Sequence, residues 1–310
     1  MTRHEAPFLA VCGHTNLDVL MRVKDLPQAG RSTPVLERTT ARGGNGANIA
    51  IHAAGLGVPV RLWSRVGGDF PADWRADMER AGVDLRCLVV EPRTPTPTCY
   101  IFTDLLDRQA FAVDQGPMAA MGEHPPPEEL LDGMPRGAWL HLATGDPLAY
   151  AHIADTAVRR GIRVALDPGQ EMSFRYTLRE LEGLLSFSDV LFVNEAELRV
   201  ACEILGLTMA EDLLRFVDAV VVTRGAKGAS LYRVGAKALH SNAFPVDRAL
   251  DPTGAGDAFR SGWYAGLQAG ASWEEALRWA QAAGASKVRH PGSQTVVLSR
   301  RDVESFLHAA

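Results

Sequence analysis

The stretch DPTGAGDAF at positions 251–259 sets two glycines around one alanine and places a carboxylate, Asp257, directly after them. The residues that follow have a helical pattern, with Phe259, Trp263 and Leu267 on one side. Gly254, Ala255 and Gly256 therefore stand at a helix N-terminus, where free N–H groups and the helix dipole form an anion site. No Gly-Lys-Ser/Thr follows, which excludes a Walker A loop, and a dinucleotide G-x-G-x-x-G pattern fails at Phe259. Asp257 has a plain reading as a first-turn carboxylate that stabilises its helix by about 0.3–1 kcal/mol. That role does not require two flanking glycines. A carboxylate beside an anion site makes chemical sense if a hydroxyl lies between them. Asp257 then accepts the hydroxyl proton while the amides take up charge on a transferring phosphoryl group. Such transfers pass through a loose transition state, so placement matters more than basicity. Asp257 can serve even if the helix dipole holds its pKa low.

Three further stretches carry polar groups in turns. In RGGNGANIAIHAAGLG (42–57), Gly43, Gly44 and Gly46 lead into a helix with Asn48 in its first turn. With Arg42 the one basic side chain near, this is either a site for a polyhydroxylated ligand or a tight strand-to-helix turn. In NEAE (194–197), Asn194 and Glu197 are one helical turn apart at a strand end. That spacing suits a Mg²⁺ held through water and equally suits an N-cap followed by a first-turn glutamate. TRGAKG (223–228) is a tight turn able to hold a nucleotide. His52 and His141 lie within apolar elements and read as structural, since no second histidine is spaced for a metal.

These turns punctuate a regular rhythm. Apolar runs at 8–16, 138–147, 162–169, 189–197 and 219–228 each end on a polar or turn-forming residue. Continuous rather than alternating apolar strands indicate a parallel sheet covered on both faces. Helical segments lie between them. PADWRADMERAG places Trp74, Met78 and Ala81 on one stripe, TMAEDLLRFV opens on a Thr208–Glu211 capping pair, and SWEEALRWAQAAGA opens on Ser272–Glu275. The result is a doubly wound α/β sandwich, in which ligands sit beyond the carboxyl ends of the strands. Residues 16–42 and about 95–115 break the rhythm with short strands and turns, YIFT and AFAV flanking a polar turn like a hairpin. They form a small inserted β-flap, either a lid or an edge extension.

The 310 residues, 46% hydrophobic and 22% charged, are ample for a full core. A net charge of −5 argues against a nucleic-acid partner. The N-terminal apolar stretch is too short for a signal peptide or a membrane span. Cys12, Cys87, Cys99 and Cys202 are widely separated and read as reduced thiols in a cytoplasmic protein.

GGNGAN, NEAE and DPTGAGDAF, in that order, resemble the motifs of the ribokinase (PfkB) superfamily of carbohydrate and nucleoside kinases, and the resemblance covers essentially the whole chain. It implies a single ribokinase-like α/β domain over 1–310, a three-layer sandwich around a mainly parallel sheet, with a discontinuous β-lid at about 16–42 and 95–115. By motif position it makes Asp257 the catalytic base and residues 254–256 the anion hole. Asp18, Gly44 and Asn48 then bind substrate hydroxyls. Asn194 and Glu197 go with Mg²⁺ and phosphate, and Thr223, Arg224 and Gly225 with the nucleotide. Asp251, with the loop near Ser286–Ser293, goes with a monovalent cation such as K⁺. ATP is the implied co-substrate, and pairing through the flap implies a homodimer.

CGHTNLD, YIFTD, HLATGDP, LDPGQ and DPTGAGDAFRSG are most similar to prokaryotic nucleoside kinases of broad specificity. Sugar kinases more often have Asp-Thr-x-Gly-Ala-Gly-Asp, without the Pro-Thr and Arg260 present here. The expected acceptor is thus the 5′-hydroxyl of a nucleoside. A free sugar or sugar acid (ribose, fructose or 2-keto-3-deoxygluconate) is the alternative. Asn16 and Asn45 fall at positions that vary across the superfamily and identify neither. Phe102, Phe111 and Met118 are the candidates for a base pocket.

Overall fold

The computed structural model describes residues 6–308. Strand β1 (Leu9–Cys12) is buried along its whole length and lies inside a large sheet. The chain then leaves that sheet for β2 (Asn16–Val23) and β3 (Val35–Gly43) and returns for β4 (Val60–Gly67) and β5 (Val83–Glu91) on one side of β1. A second excursion forms β6 (Thr98–Thr103) and β7 (Gln109–Asp114). The other half of the large sheet follows as β8 (Trp139–Leu142), β9 (Arg163–Leu166), β10 (Val190–Asn194), β11 (Ala219–Thr223), β12 (Ala229–Arg233) and β13 (Leu239–Ser241).

The large sheet runs β13-β12-β11-β10-β9-β8-β1-β4-β5, parallel from β11 to β5, with an antiparallel edge at β12 and β13. Its strands are apolar on both faces because two helical layers cover them. One core packs the sheet against helices Asn45–Gly55, Ala255–Gln268 and Trp273–Lys287. The other packs it against Pro147–Arg160, Leu178–Leu185 and Glu195–Leu205. The chain departs in opposite directions on the two sides of β1. That is the switch point at which doubly wound sheets open a crevice at their carboxyl edge.

The two excursions meet in a four-stranded sheet, β3-β2-β6-β7, with β2 parallel to β6 and the outer pairs antiparallel. YIFT and AFAV do form a hairpin within it. Helix Trp273–Lys287 opens on the expected box, Glu275 and Ser272 exchanging side-chain and backbone hydrogen bonds of 2.8 and 3.2 Å. The segment after Thr208 departs from expectation. It forms only 3₁₀ turns at Ala210–Arg215, and the carboxylate closing onto Thr208 is Asp212 rather than Glu211. The cap lies one residue later than expected, at Met209, so the residue three positions on that folds back over the start is Asp212.

Candidate active site

Five strand ends converge on one cavity of about 440 Å³. His14 follows β1, Thr144 follows β8 and Asp167 follows β9, while β10 and β11 end in Asn194 and Thr223. The second sheet faces the same space with Asp18, Cys99, Phe111 and Val113. Of the three residues proposed for a base pocket, Phe111 alone lines the cavity. Phe102 pairs with Ala110, out of phase with Phe111 on the pleat, and Met118 is buried in the main core.

Asp257 lies on the cavity floor in the first turn of helix Ala255–Gln268, and Asn48 donates to its Oδ2 at 2.7 Å. The helix dipole does not keep its pKa low. Burial pushes the carboxyl up to about 7, against the Asn48 hydrogen bond and the Arg260 charge that pull it down, and with the charges of Asp167 and Asp18 reinforcing the rise. Enclosure removes more solvation than the helix end restores. Gly254, at φ 76°, caps the helix in the left-handed region, and a Cβ there would run into Ser293. The turn therefore accepts only glycine without strain.

Asp18 reaches the cavity from β2 and accepts from Asn16 Nδ2 at 2.6 Å. Burial raises its carboxyl to about 6. A Cβ on Gly43 would overlap the Asp18 carboxylate, and one on Gly44 would overlap the His14 carbonyl. The glycines of that stretch thus clear room for the acid as well as turning the chain. Arg42, next to them, turns away to Asp73 and Asp77, both at 2.6 Å. Asn48 is buried behind Asp257, held by Gln294 Nε2 at 2.7 Å on its oxygen.

Asn194 and Glu197 both line the cavity and form a reciprocal capping box. Glu197 Oε2 accepts the Asn194 N–H at 2.8 Å, and Asn194 Oδ1 accepts from Ala196 and Glu197. Burial raises the Glu197 carboxyl. Among the described residues no three His, Cys, Asp or Glu side chains converge as an ion cage.

A second cavity, of about 520 Å³, shares Thr223 and Gly256 with the first. Gly225, Ala255, Phe244, Val246 and Phe259 line it, giving a mainly apolar slot. Arg224 lines neither cavity, turning instead to Ser230 Oγ at 2.5 Å and Glu195 at 3.4 Å. Asp251 is drawn against the loop after Lys287, accepting from Thr253 N at 2.9 Å and Gly292 N at 2.7 Å.

Three features escaped the sequence reading. Residues 243–249, which wall the second cavity, lack both motif and periodicity. His14 joins Thr144 Oγ1 at 3.0 Å and Gln115 Oε1 at 2.6 Å, and Gln115 in turn donates to Glu171. Asp167 receives a two-point contact from Arg260, 2.8 and 3.0 Å, with both side chains buried. Asp167 carried one legible signal: it terminates an apolar strand as Asn194 does. His52 and His141 are structural, His52 on the Ser293 carbonyl at 2.9 Å and His141 on Tyr264 Oη at 2.7 Å.

A family model described as pfkB family carbohydrate kinase matches residues 6–300. A nucleoside kinase of Methanothermobacter thermautotrophicus is 30% identical over 288 residues, 93% of this chain and 91% of that protein. An ATP-dependent ribose-1-phosphate kinase of Halopiger xanaduensis is 34% identical over 286 residues, 91% of this chain and 92% of its own. The structure of Burkholderia thailandensis nucleoside kinase in complex with inosine superposes with a TM-score of 0.87 at 25% identity, covering 97% of this chain and 98% of that one. The ribokinase-like sandwich with its smaller β-sheet is thus common to this chain and that enzyme.

Proposed function

Since the chain belongs to the pfkB family of carbohydrate kinases, we propose that it transfers the γ-phosphoryl group of Mg-ATP to the 5′-hydroxyl of a nucleoside. One observation carries this reading: two cavities meet at Gly256, with the Asp257 carboxylate in the floor of the polar one. The nucleotide occupies the apolar slot, near Thr223 and Gly225, with its phosphates toward the helix N-terminus. The acceptor occupies the polar cavity, its ribose hydroxyls on Asp18 and its 5′-hydroxyl on Asp257. Asp257 takes the hydroxyl proton as the oxygen attacks the γ-phosphorus and the bond to the β–γ bridging oxygen breaks, ADP leaving, while the amides of Gly254, Ala255 and Gly256 hold the charge of the transferring group. Glu197 and Asn194 would hold Mg²⁺ through water, and the ion would neutralise phosphate charge.

The walls favour a nucleoside over a bare sugar. Phe111 and Val113 are both more than half exposed at the cavity mouth, an apolar surface that a base covers and a pentose leaves wet. The one guanidinium or ammonium among the described lining residues, Arg260, is already committed to Asp167. An acceptor that already carries a phosphate, such as ribose 1-phosphate, therefore lacks a partner for it. The deciding experiment supplies Mg-ATP with inosine, guanosine, adenosine and cytidine beside ribose, fructose and 2-keto-3-deoxygluconate, and follows ADP and product by mass. Nucleoside monophosphate is expected. Phosphorylation of a sugar alone would replace the acceptor and leave the chemistry standing.

The raised pKa of Asp257 sets a pH dependence. The base acts as a carboxylate, so kcat/KM falls as pH drops through about 7 and is level above it. A profile already level at pH 5 would remove Asp257 from that role.

Leu36, Tyr100, Leu105 and Leu106 of the second sheet and its turn are exposed, and pairing of two such sheets would cover them. Light scattering is expected to give the mass of a homodimer; a monomer at assay concentration counts against pairing through the lid. Among the described residues no helix is long and apolar enough to cross a membrane. We propose a cytoplasmic location on the four cysteines, which stand as free thiols.

A further inference from the structure

Lys287 ends the helix Trp273–Lys287 and is completely buried. A lysine in the last turn of a helix normally serves the dipole from the surface, with its ammonium in water. Here the stem runs inward beneath the anion-hole turn, its Cε 3.6 Å from where a Cβ on Gly254 would stand. Nζ donates to the His290 carbonyl at 3.1 Å. The charges of Asp251 and Asp257 both act on it through space. Burial holds its proton affinity below the usual lysine value, and those two carboxylates oppose that.

A buried ammonium with one carbonyl partner is costly to maintain unless its charge has a use. The surrounding groups indicate the use. Asp251, the Val288 carbonyl and the loop 288–293 wrap the base of the turn that presents the Gly254–Gly256 amides. This is the place where a monovalent cation was expected. The donor set does not suit one. Each Asp251 oxygen already accepts one backbone N–H group, from Thr253 and Gly292, and the His290 carbonyl already faces the lysine's positive charge, which is the main obstacle. A second cation would enter against the ammonium.

We propose that the Lys287 ammonium takes the place of a bound monovalent cation beneath the Gly254–Gly256 turn, so that phosphoryl transfer by this chain requires no added K⁺. The fixed charge supports the amides that receive the phosphoryl group and needs no ion to be recruited. The inference rests on the kinase reading above, because the turn matters only if it receives phosphate.

The test compares the native protein in tetramethylammonium buffer with and without KCl, using Mg-ATP and an accepted nucleoside, and measures ADP affinity by calorimetry under both conditions. Turnover and ADP affinity are expected to be unchanged by KCl. Lys287→Met is expected to lose turnover on the order of 10²-fold, the scale of removing one group that stabilises transition-state charge. Lys287→Ala, which leaves a space beside Asp251 and the carbonyls, is expected to bind ADP weakly without KCl and to recover affinity and turnover with it. Activation of the native protein by KCl would overturn the proposal, as would Lys287→Met with native turnover and ADP affinity. If the variants do not fold, the response of the native protein to KCl decides. If no acceptor turns over while ADP affinity behaves as stated, the acceptor reading fails and the assignment of Lys287 stands.

Discussion

Asp257→Asn is expected to lower kcat by roughly 10²–10⁴-fold, the usual contribution of a positioned general base. Its ADP affinity should remain close to that of the parent. Asparagine keeps the volume and can still accept from Asn48, which holds Asp257 at 2.7 Å. The packing of the helix N-terminus should therefore survive and the loss should be confined to proton transfer. The same substitution carries a stability sign. The folded pKa of Asp257, about 7, lies above the ordinary carboxylate value, so ionising it works against folding at any pH above that ordinary value. The penalty is absent below about pH 4 and fully present above about pH 7. Asp257→Asn removes it, so the variant should melt no lower than the parent at pH 8. Steady-state kinetics, ADP calorimetry and thermal melts at pH 8 check all three parts. Near-parental turnover would end the assignment of Asp257 as base.

The second large effect concerns the buried pair behind that base. Arg260 holds Asp167 at 2.8 and 3.0 Å and donates to the Gly256 carbonyl at 3.2 Å, tying the end of β9 to the anion-hole turn. Burial alone would raise the Asp167 carboxyl, but Arg260 and His141 outweigh it and bring it down to about 2. Removing one member of such a pair leaves an uncompensated buried charge, and Arg260→Met or Asp167→Asn should each lose about 3–5 kcal/mol of stability. Replacing both with apolar groups should recover much of that loss.

The two single variants separate in a further way, because Arg260 lowers the Asp257 pKa and Asp167 raises it. The acid limb of kcat/KM should move to higher pH in Arg260→Met and to lower pH in Asp167→Asn. Chemical denaturation and pH–rate profiles read both effects. Identical shifts in the two variants, or none, would reduce the pair to a purely structural element.

Much of this arrangement is local chemistry and could be read from the residues in order. Apolar runs ending in Asn194 and Thr223 became parallel strands because a period without alternation suits burial on both faces. Gly254-Ala255-Gly256 before an amphipathic helix became a helix N-terminus because a left-handed cap requires glycine there. Ser272 with Glu275 capped a helix because the partners are three residues apart and need nothing from the rest of the chain. Only the folded arrangement decided the rest. Asn48 reaches Asp257 across 209 positions of sequence, and Arg260 reaches Asp167 across 93. The slot walled by residues 243–249 exists only once helix Trp273–Lys287 packs beside it. The raised pKa of Asp257 was likewise out of reach of the sequence. The helix dipole is set by the residues next to the carboxylate, whereas desolvation depends on everything that closes around it. Nothing near Lys287 in the chain distinguishes it from an exposed helix-end lysine. Its burial beneath Gly254 comes from the packing of two helices and a loop.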